Sequence, residues 1–359
     1  MNDLQKSLKN DIIELCSLMS VSGFERRARN ELYSRFENYF DRAQTDAVGN
    51  YLFFKDCGRE GAPTLMVDAH FDEIGMLVTD ICEGGFLRFC GMGGLSLSVL
   101  QAADVTVYGK EEIRGVIIST PPHLREGSGD KLAEIDELMI DTGYSKETLE
   151  RIAPVGTPVG FSPVYSELLG GRIAGKSFDD KACAAVCAAA IIDTPREELA
   201  ADVCLMLSCF EETSRLGGIA PAVNSLQPDY AMVVDVNLAK VPDTKACETV
   251  PMGGGVSISL SAATDRELSL KVAELCRVRD IPGVLVAAPS STGTNAPTVN
   301  LSGSGIPVVD IGLPLANMHT YNEVIDLGDC EALYRLTQAF ITDRDLAEKF
   351  KREGEELPV

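Results

Sequence analysis

The amino-acid sequence predicts an α/β protein in which a three-layer α/β/α domain is interrupted by a small inserted β-rich domain. In residues 163–359, continuous apolar strands alternate with helical segments, which is typical of a sheet covered by helices on both faces. Between residues 73 and 162 the segments are short, β-rich and separated by glycine turns, as in DVTVYG and IRGVIIST. The predicted boundaries are therefore 1–72 and 163–359 for the α/β domain and 73–162 for the inserted domain.

The elements of the α/β domain follow from hydrophobic periodicity, taken in chain order. Before the insertion, the predicted elements are helices at 2–19 and 25–40 and strands at 50–54 and 64–69. After the insertion they are a small-residue helix at 182–192, a strand at 203–210, strands ending near Asp235 and Asp310, and helices at 266–277 and 327–349. No internal repeat or low-complexity tract interrupts this plan.

The charge balance of the chain excludes two classes of partner. There are 54 acidic and 32 basic side chains, and the net charge of -22 repels nucleic-acid backbones and anionic membranes. We therefore expect neither nucleic acid nor a membrane surface among its partners.

A cytoplasmic location is predicted from three features of the sequence. The first residues have an amphipathic pattern without the apolar core of a signal peptide. The longest apolar run, 182–192, is too short to cross a bilayer. Cysteines such as Cys183, Cys187 and Cys204 lie within apolar runs, as small buried side chains do in a reducing compartment.

Polar residues follow the predicted strands at the places where an open α/β sheet binds ligands, outside the carboxyl ends of its strands. Taken singly, each has an ordinary structural explanation. A histidine is most often a structural residue, an aspartate before a helix is an N-cap, and paired glutamates form a solvated rim. Taken together they favour a metal site, and the candidates are His70, Asp72, Asp179, Asp180, Glu211, Glu212, Asp235 and His319.

Two pairs among the candidates support the metal hypothesis. His70 and Asp72 are two residues apart, so in extended backbone both side chains leave the same face. Asp72 can then accept a hydrogen bond from the imidazole, as metal-ligating histidines usually require. Glu211 and Glu212 are adjacent carboxylates at the end of a buried strand, where each would raise the pKa of the other unless a cation is bound.

A charge count favours two divalent cations. Asp179, Glu212 and Asp235 supply three negative charges. His70 and His319 supply neutral nitrogens. Two divalent cations and one hydroxide would bring the total to zero, which is what a half-buried site tolerates. Histidine and carboxylate ligands suit zinc, cobalt or manganese.

Several longer motifs occur in a fixed order along essentially the whole chain: SVSGFE, DAHFDEIGM, GKSFDDKA, the Glu pair, MVVDV, MGGGVSI, STGTNA and HTYNEVIDL. In this order they resemble the co-catalytic metalloaminopeptidases that include glutamyl aminopeptidase and the tetrahedral aminopeptidases, also labelled cellulase M-like. Spacing separates this family from its deacylase-like relatives, whose insertion comes later. Here the long interval lies between Asp72 and Asp179, as the peptidase resemblance requires.

The resemblance implies a dinuclear metal site with five ligands, one general base and one residue that orients a ligand. In that order these are Asp179 as the bridge, His70 and Asp235 on one metal, Glu212 and His319 on the other, Glu211 as the base, and Asp72 beside His70. The implied reaction is hydrolysis of the first peptide bond of a short peptide. The implied assembly is a homo-oligomer, in which dimers formed through the inserted domain build a dodecamer.

The sequence departs from the family pattern at two places. TSRLGG, with Ser214 and Arg215, follows the Glu pair where the family usually has a Val-Gly-Leu-Arg-Gly type of segment. Asn295 stands where the family usually has aspartate. Because all five ligands and the base are present, these departures bear on substrate preference before they bear on catalysis. His123, in PPHL of the inserted domain, is interpreted as structural.

Parts of the sequence are compatible with three alternative functions. A glycoside hydrolase of endoglucanase type could use two carboxylates, but sugar sites usually offer aromatic platforms and this chain has no tryptophan and only 6% aromatic residues. A non-catalytic assembly subunit would be consistent with the departures from the family pattern. GGRIAGKS, at 170–177, fits the P-loop pattern of an NTPase, but the segment before it is not a clear strand.

Overall fold

The computed structural model describes residues 1–120, 133–213, 218–245, 249–288 and 292–352. His123, Ser214 and Arg215, which the sequence analysis singled out, lie outside these ranges. The described helices are α1 (Asp3–Ser17), α2 (Arg29–Phe36), α3 (Leu97–Leu100), α4 (Lys146–Ile152), α5 (Phe178–Asp193), α6 (Ile219–Leu226), α7 (Arg266–Val278), α8 (Ala296–Asn300), α9 (Leu327–Ile341) and α10 (Arg344–Phe350). The described strands are β1 (Arg42–Thr45), β2 (Tyr51–Lys55), β3 (Thr64–His70), β4 (Gly75–Ile81), β5 (Phe86–Met92), β6 (Asp104–Tyr108), β7 (Glu112–Ser119), β8 (Leu138–Asp141), β9 (Pro158–Phe161), β10 (Ser166–Glu167), β11 (Arg172–Gly175), β12 (Asp202–Ser208), β13 (Tyr230–Leu238), β14 (Val256–Ser261), β15 (Gly283–Ala288), β16 (Val308–Ala316) and β17 (Glu323–Asp326).

The larger sheet has the strand order β1-β2-β12-β3-β13-β16-β17-β11-β10, and β14 joins β15 to β16. Its central strands β12, β3, β13 and β16 run parallel to their neighbours in that group. In register, Ser208 at the end of β12 lies beside His70 at the end of β3. The carboxyl ends of these strands therefore meet at one edge, where ligands of open α/β sheets bind.

Helices cover both faces of this sheet, because successive side chains of a strand point to opposite faces. In β3, Leu65 and Val67 belong to the core that also contains buried residues of α1, α5 and α9. Met66, between them, packs in a second core with residues of α6 and α8. The predicted three-layer α/β/α fold is confirmed.

A closed barrel lies between β3 and β10 in the chain, with the strand order β4-β5-β8-β7-β6-β9. Buried and exposed side chains alternate along its strands. In β7, for example, Ile113 and Ile117 are buried, whereas Arg114 and Val116 between them are exposed. The barrel has an apolar core of its own. The small β-rich part of the fold is thus present as the sequence predicts. The boundaries at 73 and 162 and the role in dimerisation remain predictions.

Two helices predicted as continuous segments are divided in the structure. In place of one helix at 25–40 there is a 3₁₀ turn, Glu25–Ala28, followed by α2. In place of one helix at 327–349 there are α9 and then α10, which ends at Phe350. The side chain of Asp343 caps this second helix by accepting a hydrogen bond from the amide of Leu346.

A helix that spans a bilayer must be both long and apolar. No helix in the described ranges is long and apolar enough to do so.

Candidate metal centre and active site

The predicted site residues come together at the carboxyl edge of the parallel strands. His70 is the last residue of β3, and Asp235 lies in β13 beside it in the sheet. The Glu pair follows the end of β12. Asp179 is in the first turn of α5. His319 follows the last residue of β16.

The two histidines face different oxygens of one carboxylate. The Nε2 atom of His70 lies 3.1 Å from Oδ1 of Asp179. The Nε2 atom of His319 lies 3.5 Å from Oδ2 of the same residue. The side chain of Asp179 therefore stands between the two imidazoles, with one oxygen available on each side.

Each histidine also has a second carboxylate nearby. Oδ1 of Asp235 is 3.8 Å from Nε2 of His70, and Oε2 of Glu212 is 3.4 Å from Nε2 of His319. Ligand atoms of His70, Asp179 and Glu212 all lie within 4.8 Å of one another. Imidazole nitrogens and carboxylate oxygens at this spacing fit a divalent cation such as zinc, cobalt or manganese.

Asp180 is closer to this centre than the sequence suggests. Its ligand atom lies within 4.8 Å of ligand atoms of His70 and Asp235, and its Oδ2 accepts a hydrogen bond from the backbone amide of His70. Its Oδ1 is buried and has no hydrogen-bond partner among the described residues. The sequence offered an N-cap as the ordinary explanation of this residue, but the side chain is directed to the end of β3.

The site concentrates negative charge away from water. Burial, and then the neighbouring Asp179, raises the pKa of Glu212 well above its ordinary value. Burial, and then Asp180, does the same to the pKa of Asp235. Burial also raises the pKa of Glu211. Such carboxylates remain ionised when a cation compensates them, so the electrostatics of the site match its donor set.

The environment of His70 contains two opposing effects. Burial lowers the pKa of its imidazole, but the neighbouring carboxylates of Asp179, Asp72 and Asp235 outweigh this and raise the pKa well above the ordinary value. The ring is 2% exposed, so a positive charge here is shielded from water and depends on these carboxylates.

Asp72 orients its neighbours differently from the prediction. Nδ1 of His70 is 3.0 Å from the backbone oxygen of Asp72, whereas the carboxylate oxygen Oδ1 is 3.6 Å away. The two carboxylate oxygens accept hydrogen bonds from the amides of Glu211 and Glu212, each at 3.1 Å. Asp72 thus links the end of β3 to the Glu pair: its backbone oxygen contacts His70, and its carboxylate accepts the amides of the Glu pair.

Glu323 is a site residue that the sequence analysis missed. Its carboxylate is buried and accepts hydrogen bonds from the backbone amides of Asp179, at 3.1 Å, and His319, at 3.2 Å. It therefore fixes the backbone of two proposed ligands at once. The available signal was a glutamate at the start of the apolar strand EVID, within the motif already noted for His319.

A loop of the barrel forms one wall of the site. A methyl group on Gly94 would lie 2.6 Å from Nδ1 of His319, and one on Gly93 would lie 3.4 Å from Oε2 of Glu212. Gly93 also has a φ of +82°, in the left-handed region that glycine adopts without strain. At Gly94, therefore, only a hydrogen leaves room for the His319 ring, and at Gly93 a methyl group would collide with Ile74 at 2.8 Å.

The P-loop pattern at 170–177 has another structural role. Arg172–Gly175 is strand β11, and it pairs with β17 rather than forming a loop around a phosphate. Nζ of Lys176 is buried and lies 2.7 Å from Oε2 of Glu73. The lysine that would contact a nucleotide phosphate is thus neutralised inside the protein.

Asn295, one of the two departures from the family pattern, faces a buried aspartate. Its side-chain amide donates hydrogen bonds to Oδ2 of Asp68, at 3.1 Å, and to Oγ of Ser208, at 2.9 Å. Burial raises the pKa of Asp68 to about 7. An amide is the group that can donate to this carboxylate, whereas a second carboxylate would repel it.

We expect Asn295→Asp to lower the melting temperature, with a loss of about 1–3 kcal/mol in the free energy of unfolding, because two buried carboxylates would share one hydrogen-bonding site. The double variant Asp68→Asn/Asn295→Asp exchanges donor and acceptor and should recover most of the loss. Thermal unfolding of the wild type, both single variants and the double variant measures this coupling. A double variant no more stable than Asn295→Asp would contradict the explanation.

An α/β/α sheet whose carboxyl edge carries two histidines on either side of one aspartate fits the class of metal-dependent hydrolases. The model of the M42 glutamyl aminopeptidase family matches residues 49–336. The chain therefore belongs to the M42 glutamyl aminopeptidase family, as the resemblance noted in the sequence indicated.

Individual relatives agree with this assignment over nearly the whole chain. The lysyl aminopeptidase of Pyrococcus furiosus is 29% identical over 332 residues, which cover 90% of this chain and 93% of that protein. The TET aminopeptidase of Thaumarchaeota archaeon SCGC AB-539-E09 superposes with a TM-score of 0.89 at 28% identity, covering 97% of this chain and 100% of the other. The TET1 peptidase of Pyrococcus horikoshii superposes with a TM-score of 0.82 at 27% identity, covering 94% of this chain and 99% of the other. That peptidase can assemble into a tetrahedron or a large octahedral shell.

Proposed function

We propose that this aminopeptidase binds two divalent cations, zinc or cobalt and alternatively manganese, and uses them to remove the first residue of short peptides. Asp179 would be the ligand common to both ions. His70 and Asp235 would hold one ion, and Glu212 and His319 would hold the other. The observation that carries the proposal is the orientation of Asp179, whose Oδ1 and Oδ2 face the Nε2 atoms of two different histidines.

The two ions would supply Lewis acidity for the scissile carbonyl and would acidify a water molecule. Residues of the protein carry out the proton transfers and position the reacting groups. Glu211 takes the proton of the attacking water on its carboxylate and passes it to the departing amine. Asp72 holds the backbone amide of Glu211, which keeps that carboxylate at the edge of the site. His319, whose side chain is 35% exposed, marks the open side from which the peptide enters.

We also propose that the chain works as a homo-oligomer, with dimers formed through the barrel and a dodecamer built from those dimers. The capacity of the Pyrococcus horikoshii TET1 peptidase to form closed shells supports this assembly. A cytoplasmic location remains part of the proposal. The membership in a peptidase family disfavours glycoside hydrolysis, and the presence of all seven site residues disfavours a non-catalytic assembly subunit.

The proposal is tested by removing and restoring the metal. Protein treated with a chelator and desalted should lose its turnover of aminoacyl anilides, and addition of zinc, cobalt or manganese should restore it. Elemental analysis of the active protein should find up to two ions per chain. A panel of acidic, basic and apolar anilides measures the substrate preference. Unchanged turnover by metal-free protein would refute the proposed chemistry.

A further inference from the structure

The turn that carries the Glu pair has a strained and unusual backbone. Strand β12 ends at Ser208, and Phe210 then adopts a φ of +61°, in the left-handed region that non-glycine residues rarely occupy. We call residues 209–213 the Glu-pair turn. Such a conformation persists only where the surrounding structure over-determines it.

Side chains from other segments meet the amides of this turn one after another. The amide of Cys209 donates to Oδ1 of Asn50 at 2.9 Å, and the amide of Phe210 donates to Oε1 of Glu25 at 3.3 Å. The amides of Glu211 and Glu212 donate to Asp72, as described above. Four consecutive amides are thus fixed by oxygens that lie far away in the sequence.

Glu25 is the carboxylate of this set that the proposed mechanism does not use. It lies in the SVSGFE motif and is 2% exposed. The oxygen that accepts from Phe210 also accepts from the amide of Gly23, at 2.9 Å. Burial, and then Asp72, raises the pKa of Glu25 to about 7. The geometric observation is that one buried carboxylate oxygen accepts amides from two segments, 22–25 and the Glu-pair turn.

A second contact joins the same two segments. Oγ of Ser22 lies 2.7 Å from Oγ1 of Thr213, at the far end of the Glu-pair turn. The ring of Phe210 lies against Gly23, where a methyl group would be 3.5 Å from it. The segment 22–25 therefore contacts the turn on both sides of the Glu pair.

We propose that Glu25 is a positioning residue for Glu211 and Glu212, acting by accepting the hydrogen bond of the Phe210 amide. This rests on the proposed function, in which Glu211 is the base and Glu212 a metal ligand. Asp72 accepts only the amides of Glu211 and Glu212 and leaves the amide of Phe210, the residue before them, to Glu25. With Glu25, the residue before the pair is fixed in its left-handed conformation, and this sets the direction in which both carboxylates leave the backbone.

The test compares Glu25→Ala, Glu25→Asp and Glu25→Gln in the full chain, with kcat, KM, melting temperature and metal retention against a weak chelator. Loss of a residue that orients ligands typically costs about 10–100-fold in activity or metal affinity, and we expect this for Glu25→Ala in both kcat and metal retention, with KM changed by less than about threefold. Glu25→Asp withdraws the acceptor by one methylene and should also lower kcat. Glu25→Gln keeps a carbonyl oxygen that can accept both amides, so this variant should retain most of the wild-type kcat.

Asp229→Ala is the matched control. Asp229 also accepts two backbone amides, those of Thr64 and Arg352, but it lies at the amino end of β3, away from the site. It should lower the melting temperature and leave kcat and metal retention unchanged. If Glu25→Ala behaves like this control, Glu25 only stabilises the fold and the inference is overturned. Should Glu25→Ala not fold, a Glu25→Asp variant with wild-type kcat overturns it equally, as does Glu25→Gln with a kcat as low as that of Glu25→Asp.

Failure of the proposed function gives a different result from failure of this inference. Wild-type protein without metal-dependent turnover would refute the proposed function. Active wild-type protein whose Glu25 variants keep wild-type kcat and metal retention would refute only the positioning role.

Discussion

Glu211→Gln is expected to lower turnover of an aminoacyl anilide by about a hundredfold or more while leaving two metal ions bound. The amide of glutamine cannot take the proton of the attacking water, but the five proposed ligands are untouched. The backbone amide of residue 211 can still donate to Asp72, so the Glu-pair turn should keep its conformation. Steady-state kinetics and elemental analysis on the same preparation measure both quantities.

The neighbouring variant Glu212→Gln supplies the contrast. It replaces the carboxylate whose Oε2 lies 3.4 Å from Nε2 of His319, so it should weaken binding of one ion as well as abolish activity. If Glu211→Gln loses an ion and keeps near-normal turnover, the roles within the pair are reversed. If neither variant changes turnover, the proposed site is wrong.

Asp179→Ala should lose both metal ions and all measurable activity, because the two oxygens of this carboxylate face the two different histidines. Elemental analysis after desalting provides the measurement. Asp193→Ala, at the other end of α5, is the control: it removes the carboxylate that accepts the hydrogen bond of the Tyr334 hydroxyl and should keep both ions. An Asp179→Ala protein that retains two ions would contradict the bridging role.

The sequence predicted the members of the site better than it predicted what fixes them. A polar residue directly after a buried apolar strand, such as His70 or Asp235, has a local signature, and parallel strands bring such residues to one edge. The family resemblance supplied their proposed roles. The three-layer fold was predictable for a similar reason, since strands alternating with helices leave a pattern in the chain.

The residues that orient the site have a weaker local signature. Glu25 accepts the amide of Phe210, and Glu323 accepts the amide of Asp179; both bonds join residues that are adjacent only after folding. The second bond of Glu323, with the amide of His319, spans only four residues of the chain. Glu25 lies far from its partner in the sequence, in a 3₁₀ turn that was predicted as part of a helix. The sequence indicated that Asp72 orients His70. In the structure the backbone oxygen of Asp72 contacts the imidazole, and its carboxylate accepts the amides of the Glu pair.

The contact between the barrel and His319 ties the barrel to the proposed site. With Gly94 directly against the imidazole, a shortened chain that keeps only the sheet and its helices would leave this side of His319 open to bulk water. A barrel taken from a relative would fit beside His319 only if it also carries glycine at the position of Gly94. The barrel and the sheet therefore have to match each other at this loop.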